Sequence, residues 1–301
     1  MSAGREIEGV VIFSQQIVNG LMLGSIYAMV AVALTLSIGV LRFLNFSIPG
    51  LFMIGGMTAW ASLRAGLPWP LAIAAALVAG AFASLVVERF TWRWMRGAQD
   101  FVPLVSSMAF LLLFEHLAVI YWGSELRTVP PLFANTDWRV AGLVISLPQL
   151  GGLVASIALI WALTLALART RLGRGLRTIA EDSDTALLLG VEINRIVPVL
   201  FLISGLFAAL AGVIFALNYR QVQPFMGEMV GLKGISAMIV GGMGSVWGSI
   251  AGGLIIGLVE VMSIGYFGAD FVDIAVYGLL LLILFVRPTG LFAAAFAGQR
   301  A

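Results

Sequence analysis

What this chain lacks narrows its function before any motif is found. It has no cysteine, which removes disulfides, thiol nucleophiles and cysteine metal ligands. It has one histidine, His116, so His/Cys metal clusters and Cys–His catalysis fall away too. Its one lysine, Lys233, follows Leu232 rather than glycine. A phosphate-cradling P-loop needs Gly-Lys-Ser/Thr, and no such run occurs. Nor is there a G-x-S-x-G nucleophile elbow. These gaps argue against an enzyme, and no residue set calls for a metal or cofactor.

Charge is scarce as well. Only 11% of residues are charged, against about 25% in soluble domains. With 61% hydrophobic residues and a mean hydropathy of +1.05, the chain reads as an all-α, polytopic membrane helix bundle embedded in a lipid bilayer. The ten-residue alternation of a membrane barrel is missing. The net charge of +2 comes with no basic face or aromatic platform, so nucleic acid is not an expected partner. No cleavage site follows the opening MSAGREIEG, so the first apolar run is read as the first span. No repeat, low-complexity tract or linker divides residues 1–301, which are taken as one transmembrane domain.

What is present is a series of long apolar runs, at about 10–40, 43–63, 69–88, 101–122, 142–168, 197–217, 231–262 and 270–286. At about 20 residues per crossing, with 231–262 broken at GGMGSVWGS into two passes, they give about eight or nine spans with broken or re-entrant helices. Arginines set the orientation. Arg89, Arg93 and Arg96 form one basic loop, Arg169 to Arg177 a stronger one, and Arg287 follows the last run. Placing all three inside leaves 123–141 and 218–230 outside, with Arg127, Arg139 and Arg220 as tolerated exceptions. The C-terminus is then cytoplasmic and the N-terminus outside. Gly20/Gly24, Gly248/Gly252 and Gly253/Gly257 are small-xxx-small pairs suited to close helix packing.

Ionisable residues inside spans are functional suspects, because lipid disfavours them. Glu115 and His116 sit together within 101–122, either as a substrate or proton path or as a hydrogen-bonded structural pair. Lys233 and Glu260 bracket the glycine-rich run, where interfacial anchoring or a mutual salt bridge is the expectation. Two interruptions are candidates for the pathway: RFLNFSIPG, carrying Asn45, Ser47 and Pro49, and the GGMGSVWGS block, carrying Gly242 and Gly244. Half-helix ends at membrane depth can aim dipoles at polar cargo; the competing reading of each is a plain turn between spans.

The loop at about 169–196 is different in kind. Nine charged residues lie between Arg169 and Arg195: five arginines, two glutamates and two aspartates, in a chain with 17 basic and 15 acidic residues. Basic residues orient a membrane protein, but acids contribute little to that rule. In RTIAEDSDTALLLG the acids provide a capping-competent helix start, apolar residues follow, and Gly190 provides a stop. Leucines on a short cytosolic helix fit a partner's groove; the alternative is that they fold back onto the bundle.

GRGLRTIAEDSDTALLLGVEINRI resembles the cytoplasmic loop of permease subunits of branched-chain amino-acid ABC transporters. NGLMLGSIYAMVAVALTLSIGVLRFLNF, LFLISGLFAALAGVIFAL, GLKGISAMIVGGMGSVWGSIAGGLIIGLVE and RPTGLF match in order, so the resemblance spans nearly the whole chain. It is closest to the shorter of the two permease types. The resemblance implies a multi-pass permease in a bacterial inner membrane that forms the translocation pathway of an importer. Its implied partners are a second, homologous or identical permease, two cytoplasmic P-loop ATPases and a periplasmic substrate-binding protein. Glu181, Asp182, Ala186, Leu188, Leu189 and Gly190 match the ATPase-contacting pattern. Two departures bear on cargo: Ser47-Ile48-Pro49-Gly50 replaces the family's usual His-Gly-Glu continuation, and Glu115–His116 stands where neutral residues are usual. The family serves branched-chain amino acids but also urea, amides and aromatic or other carboxylates. The rival reading is a proton-coupled secondary transporter using Glu115 and His116; a purely structural scaffold is disfavoured by the interrupted helices.

Overall fold

The computed structural model describes residues 2–95, 99, 101–130, 138–140 and 143–292. Arg96 of the first basic loop and residues 131–137 of the loop at 123–141 lie outside them. The elements run α1 (Ser2–Leu41), α2 (Ser47–Arg64), α3 (Trp69–Val87), α4 (Phe101–Trp122), β1 (Arg127–Thr128), β2 (Trp138–Val140), β3 (Leu143–Ile145), α5 (Leu147–Arg169), α6 (Arg171–Glu181), α7 (Ser183–Leu188), α8 (Ile193–Tyr219), β4 (Gln221–Val222), α9 (Met226–Gly241), α10 (Val246–Tyr266) and α11 (Val272–Val286). The protein is an all-α polytopic bundle. Among the described residues, seven helices are long and apolar enough to cross a membrane.

The expected apolar runs map closely onto helices, with informative exceptions. The run at 142–168 starts too early, because Leu143–Ile145 is a strand paired with Trp138–Val140. Pro148 then opens α5 within its first turn, where a missing N–H costs nothing. The basic loop after residue 88 is in part a continuation of α3, with Glu88–Arg93 wound as a π-helical turn. In the charged loop, two helices stand where one short helix was expected.

Each interruption is a short linker between consecutive helices, residues 42–46 between α1 and α2 and residues 242–245 between α9 and α10. Between α1 and α2, Asn45 Oδ1 accepts from the Ser47 backbone N–H at 3.1 Å and from its hydroxyl at 2.7 Å. That is the local capping geometry these residues favour over continued helix. Pro49 falls in the first turn of α2, where it is tolerated. Between α9 and α10, Gly242 and Gly244 have φ of 112° and 86°, values open to glycine and strained for other residues. The closing RPTGLF seals this turn. Leu291 and Phe292 N–H donate to the Val240 and Gly241 carbonyls, each at 2.9 Å, and so satisfy acceptors that the end of α9 leaves free.

Helix order follows from close backbone approach. A Cβ on Gly20 or Gly24 would meet Leu258 or Leu254, and one on Gly253 or Gly257 would meet Ala28 or Gly24. Gly248 and Gly252 face Gly241 and Ala237 in the same way. All three small-xxx-small pairs therefore lie at helix interfaces, and α10 runs antiparallel to both α1 and α9. Thr35 and Ser249 join α1 to α10 by a buried hydroxyl–hydroxyl hydrogen bond. Helix α1 forms the centre, its apolar window 89% buried, whereas that of α11 is 17% buried and those of α4 and α5 are 22%. The peripheral helices thus present their apolar surface outward.

At one end of the bundle β1 pairs with β4, bringing 127–128 against 221–222. Trp60 at the end of α2 donates to the Thr128 carbonyl at 3.1 Å. The loops at 123–130 and 218–225 therefore share one end, as the arginine parity requires. Arg42, α6 and α7 share the other.

Candidate functional site

At that second end, α6 and α7 form a compact helical pair. In α6, Leu172, Leu176 and Ile179 recur at helical spacing and turn toward the bundle. Gly173 lets α6 approach α5 so closely that a Cβ there would overlap the Leu167 carbonyl. Arg177 donates to that same carbonyl at 3.1 Å. Asp182 then starts α7: its carboxylate accepts from the Thr185 N–H at 3.3 Å and hydroxyl at 3.1 Å. Helix α7 ends in a Schellman closure, with Gly190 N–H to Leu187 O and Val191 N–H to Ala186 O, both 3.0 Å, and Gly190 at φ 78°. Asp182 and Gly190 thus act as the start and stop expected of the acids and the glycine.

The leucines do not fold back. Leu187, Leu188 and Leu189 are 57%, 89% and 70% exposed. Glu181, Asp182 and Gly190 are exposed beside them. Ala186 differs: it is fully buried and anchors α7 to the bundle, so it cannot present a side chain to a partner. Sequence pattern alone places it with the leucines; only the packing separates them. One contact was not foreseen. Arg42, at the end of α1 with φ 59°, donates through its guanidinium to the Ala180 and Glu181 carbonyls at 3.1 and 2.9 Å. It ties the carbonyl end of α6 to the central helix, where a cation is favoured.

The remaining expected pathway residues disperse. Asn45 and Ser47 are buried in the α1–α2 turn, and Gly242 and Gly244 form the α9–α10 turn. Glu115 and His116 are not a pair. Neighbours on a helix point about 100° apart, so Glu115 is fully buried while His116 is exposed and its Nδ1 lies 2.8 Å from the Leu112 carbonyl. Neither Glu115 oxygen has a hydrogen-bond partner among the described residues.

The polar centre of the membrane region lies elsewhere. Lys233 Nζ donates to Glu260 Oε1 at 2.6 Å, joining α9 to α10. The Tyr27 hydroxyl donates to Glu260 Oε2 at 2.7 Å, bringing in α1. The mutual salt bridge considered for Lys233 and Glu260 is therefore formed, and Tyr27 adds a third helix that the sequence did not reveal. Breaking such a buried pair from one side costs about 3–5 kcal/mol, because a charge is left without its partner. All three residues line a cavity of ≈ 260 Å³. It extends to Gln221 and Gln223 at the β1–β4 end, past apolar walls from Leu23, Phe215 and Val230. None of Asn45, Ser47, Glu115, His116, Gly242 and Gly244 lines it.

The chain as a whole is similar to known proteins. The family described as "Branched-chain amino acid transport system / permease component" matches residues 16–286. The chain is 32% identical over 292 residues to the high-affinity branched-chain amino acid transport system permease protein BraD of Pseudomonas aeruginosa, covering 93% of this chain and 95% of that one. It is 31% identical over 294 residues, with the same coverage, to the permease protein LivH of Escherichia coli (strain K12). Similarity to the ribose import permease protein RbsC of Bacillus subtilis is 27% over 192 residues, or 60% of this chain. With the family match running through nearly every helix and through the capped, leucine-bearing α7, the chain belongs to the permease components of branched-chain amino acid transport systems.

Proposed function

We propose that this permease is one of two such subunits in an ABC importer of a bacterial inner membrane, and that it carries branched-chain amino acids or a closely related small polar substrate. Two P-loop ATPases dock on the element at about 169–196, and a periplasmic binding protein delivers the cargo from the opposite side. The observation that carries the reading is α7: a rigidly capped helix holding three exposed leucines beside Glu181 and Asp182. An isolated short helix does not hold such leucines in water without reason, whereas a helix inserted in a partner's groove does. The chain has no nucleotide-binding loop of its own, so energy has to enter through such a contact. The preference for amino acids over sugars rests on the comparisons, where identity and coverage both fall from BraD and LivH to RbsC.

The same reading takes residues 1–301 as a single membrane domain whose nine long helices all cross, with the C-terminus cytoplasmic. Helix α2 falls short of the hydropathy of a lipid-facing span and α9 of its length, but both are mostly buried by their neighbours and need not face lipid. A proton relay through Glu115 and His116 finds no support in their divergent orientations.

The test is the docking surface. Leu188→Asp and Leu189→Asp should each reduce ATPase co-purification by roughly tenfold or more, the size of an interface hot spot of about 2 kcal/mol. Membrane insertion and permease yield should stay at the unsubstituted level. Undiminished co-purification with full ATP-dependent uptake in both variants would remove α7 as the docking helix.

A further inference from the structure

A buried Lys–Glu pair inside a membrane bundle has two possible employments, a pin between helices or a receptor for charge. The pin is poorly motivated here. Helices α1, α9 and α10 already touch backbone to backbone at Gly24, Gly241, Gly252 and Gly253, and Thr35 and Ser249 add a further hydrogen bond. A sealed structural pair would also be walled in by apolar neighbours, yet Lys233, Glu260 and Tyr27 all line the cavity. Lysine carries three N–H donors, and Glu260 accepts from one of them. At 1.5 Å per residue, Lys233 lies about 10 Å along α9 from its outer end, within reach of a small molecule arriving there.

The chemistry of the walls selects the guest. An entering carboxylate alone would add net charge to a low-dielectric cavity, and an entering amine would do the same; burying unbalanced charge is strongly unfavourable. A zwitterion adds none. It can exchange partners with the existing pair, its carboxylate taking Lys233 and its ammonium taking Glu260, so that every charge remains matched. Phe215, Val230 and Val261 then face whatever side chain it carries. Small-molecule sites commonly combine this apolar lining with a few convergent polar groups, at volumes from about 300 Å³ upward for larger ligands. A cavity of ≈ 260 Å³ suits a single amino acid. Urea would leave the apolar walls unmatched, and a sugar would leave both ions unmatched.

We propose that Lys233, Glu260 and Tyr27 form a receiving site within the permease for the charged head of an α-amino acid with an apolar side chain, the internal salt bridge opening to exchange partners with the zwitterion. This deepens the importer reading and rests on it.

The experiment uses the complete transporter in proteoliposomes, with binding protein, and measures ATP-dependent uptake of radiolabelled L-leucine, L-isoleucine, L-valine and L-phenylalanine. The key variant is the double substitution Lys233→Met with Glu260→Gln, which removes both charges together and keeps an acceptor for Tyr27. Replacing both members of a structural pair is often tolerated, so a pin predicts uptake near the unsubstituted level. A receiving site predicts a loss of about tenfold or more, the scale of a lost charged hydrogen bond, with the detergent melting temperature and ATP hydrolysis retained. Uptake by the double variant within about twofold of the unsubstituted complex would overturn the site and leave the importer reading standing. Failure of the unsubstituted complex to move any of the four would overturn the site together with the amino-acid cargo of the importer reading. If the double variant does not fold, Met229→Cys serves instead: the chain has no cysteine of its own, and Met229 lines the cavity with 62% exposure. Slower thiosulfonate labelling in the presence of one of the four amino acids supports the site, and unchanged labelling with all of them refutes it.

Discussion

A Cβ on Gly212 would overlap the carbonyl oxygen of Phe52, and one on Gly55 that of Ala209, so α2 and α8 meet with nothing between their backbones. In a membrane, where apolar burial does not draw helices together, such van der Waals contact is a main source of association. Gly212→Ala should therefore destabilise the permease by about 1–3 kcal/mol or more, the usual range for overpacking, seen as a lower melting temperature in detergent. Gly151→Ala is the control, since no atom lies within 4 Å of its added Cβ. Alanine there should be neutral or stabilising by up to about 1 kcal/mol, as expected for glycine replaced within a helix. The contrast shows what sequence reveals at this scale. Gly20/Gly24 and Gly253/Gly257 are visible because both members of each pair lie on one helix at fixed spacing. Gly56 and Gly212 are partners across 156 positions of chain (212 less 56), and spacing on either helix cannot name the other. Tyr27 escaped notice for the same reason: its hydroxyl is informative only once Glu260 stands beside it.

At the scale of elements, the α6–α7 helix pair was half legible. Asp182 and Gly190 carry their signals locally, through a side-chain cap and a left-handed residue, and those signals do not depend on the rest of the fold. Helix α6 was concealed behind its arginines, which serve as an orientation signal, although Leu172, Leu176 and Ile179 mark an apolar stripe at i, i+4 and i+7. The link between this pair and the membrane was not legible at all, because Arg42 contacts main-chain carbonyls that have no residue signature. That link yields a test of how docking at α7 reaches the bundle. Arg42 holds a φ of 59° that glycine adopts more easily. Arg42→Gly should then keep or improve the turn while deleting both bonds to Ala180 and Glu181. The expected outcome is normal ATPase co-purification with uptake per ATP hydrolysed reduced several-fold. Unaltered coupling would mean that force enters the bundle through Gly173 and Arg177 at α5 instead.

For the whole molecule, hydropathy and charge disagree about how many helices cross. Length and apolarity select seven, whereas the arginine parity needs α9 to cross as well, and Arg42 bonded to the end of α6 needs α2 to cross so that Arg42 and Arg89 lie on one side. The disagreement has a physical cause. Hydropathy measures what a helix shows to lipid, and α2 and α9 show it little: α2 packs against α3, α4 and α8, and α9 against α1, α10 and α11. Protein neighbours relieve them of the apolar surface, and at 16 residues α9 spans about 24 Å, short of a hydrocarbon core of about 30 Å unless its flanking turns complete the passage. The absence of cysteine makes this directly measurable. Single cysteines at Leu67 and Gln221, both exposed at the β1–β4 end, should react in intact cells with a membrane-impermeant maleimide. Cysteines at Met243 and Thr289, exposed at the opposite end, should react only after permeabilisation. Gln221 and Met243 bracket α9, so labelling of both from the same side would show that α9 does not cross. The parity would then fail between the second basic loop and Arg287, and the cytoplasmic assignment of the C-terminus would fail with it.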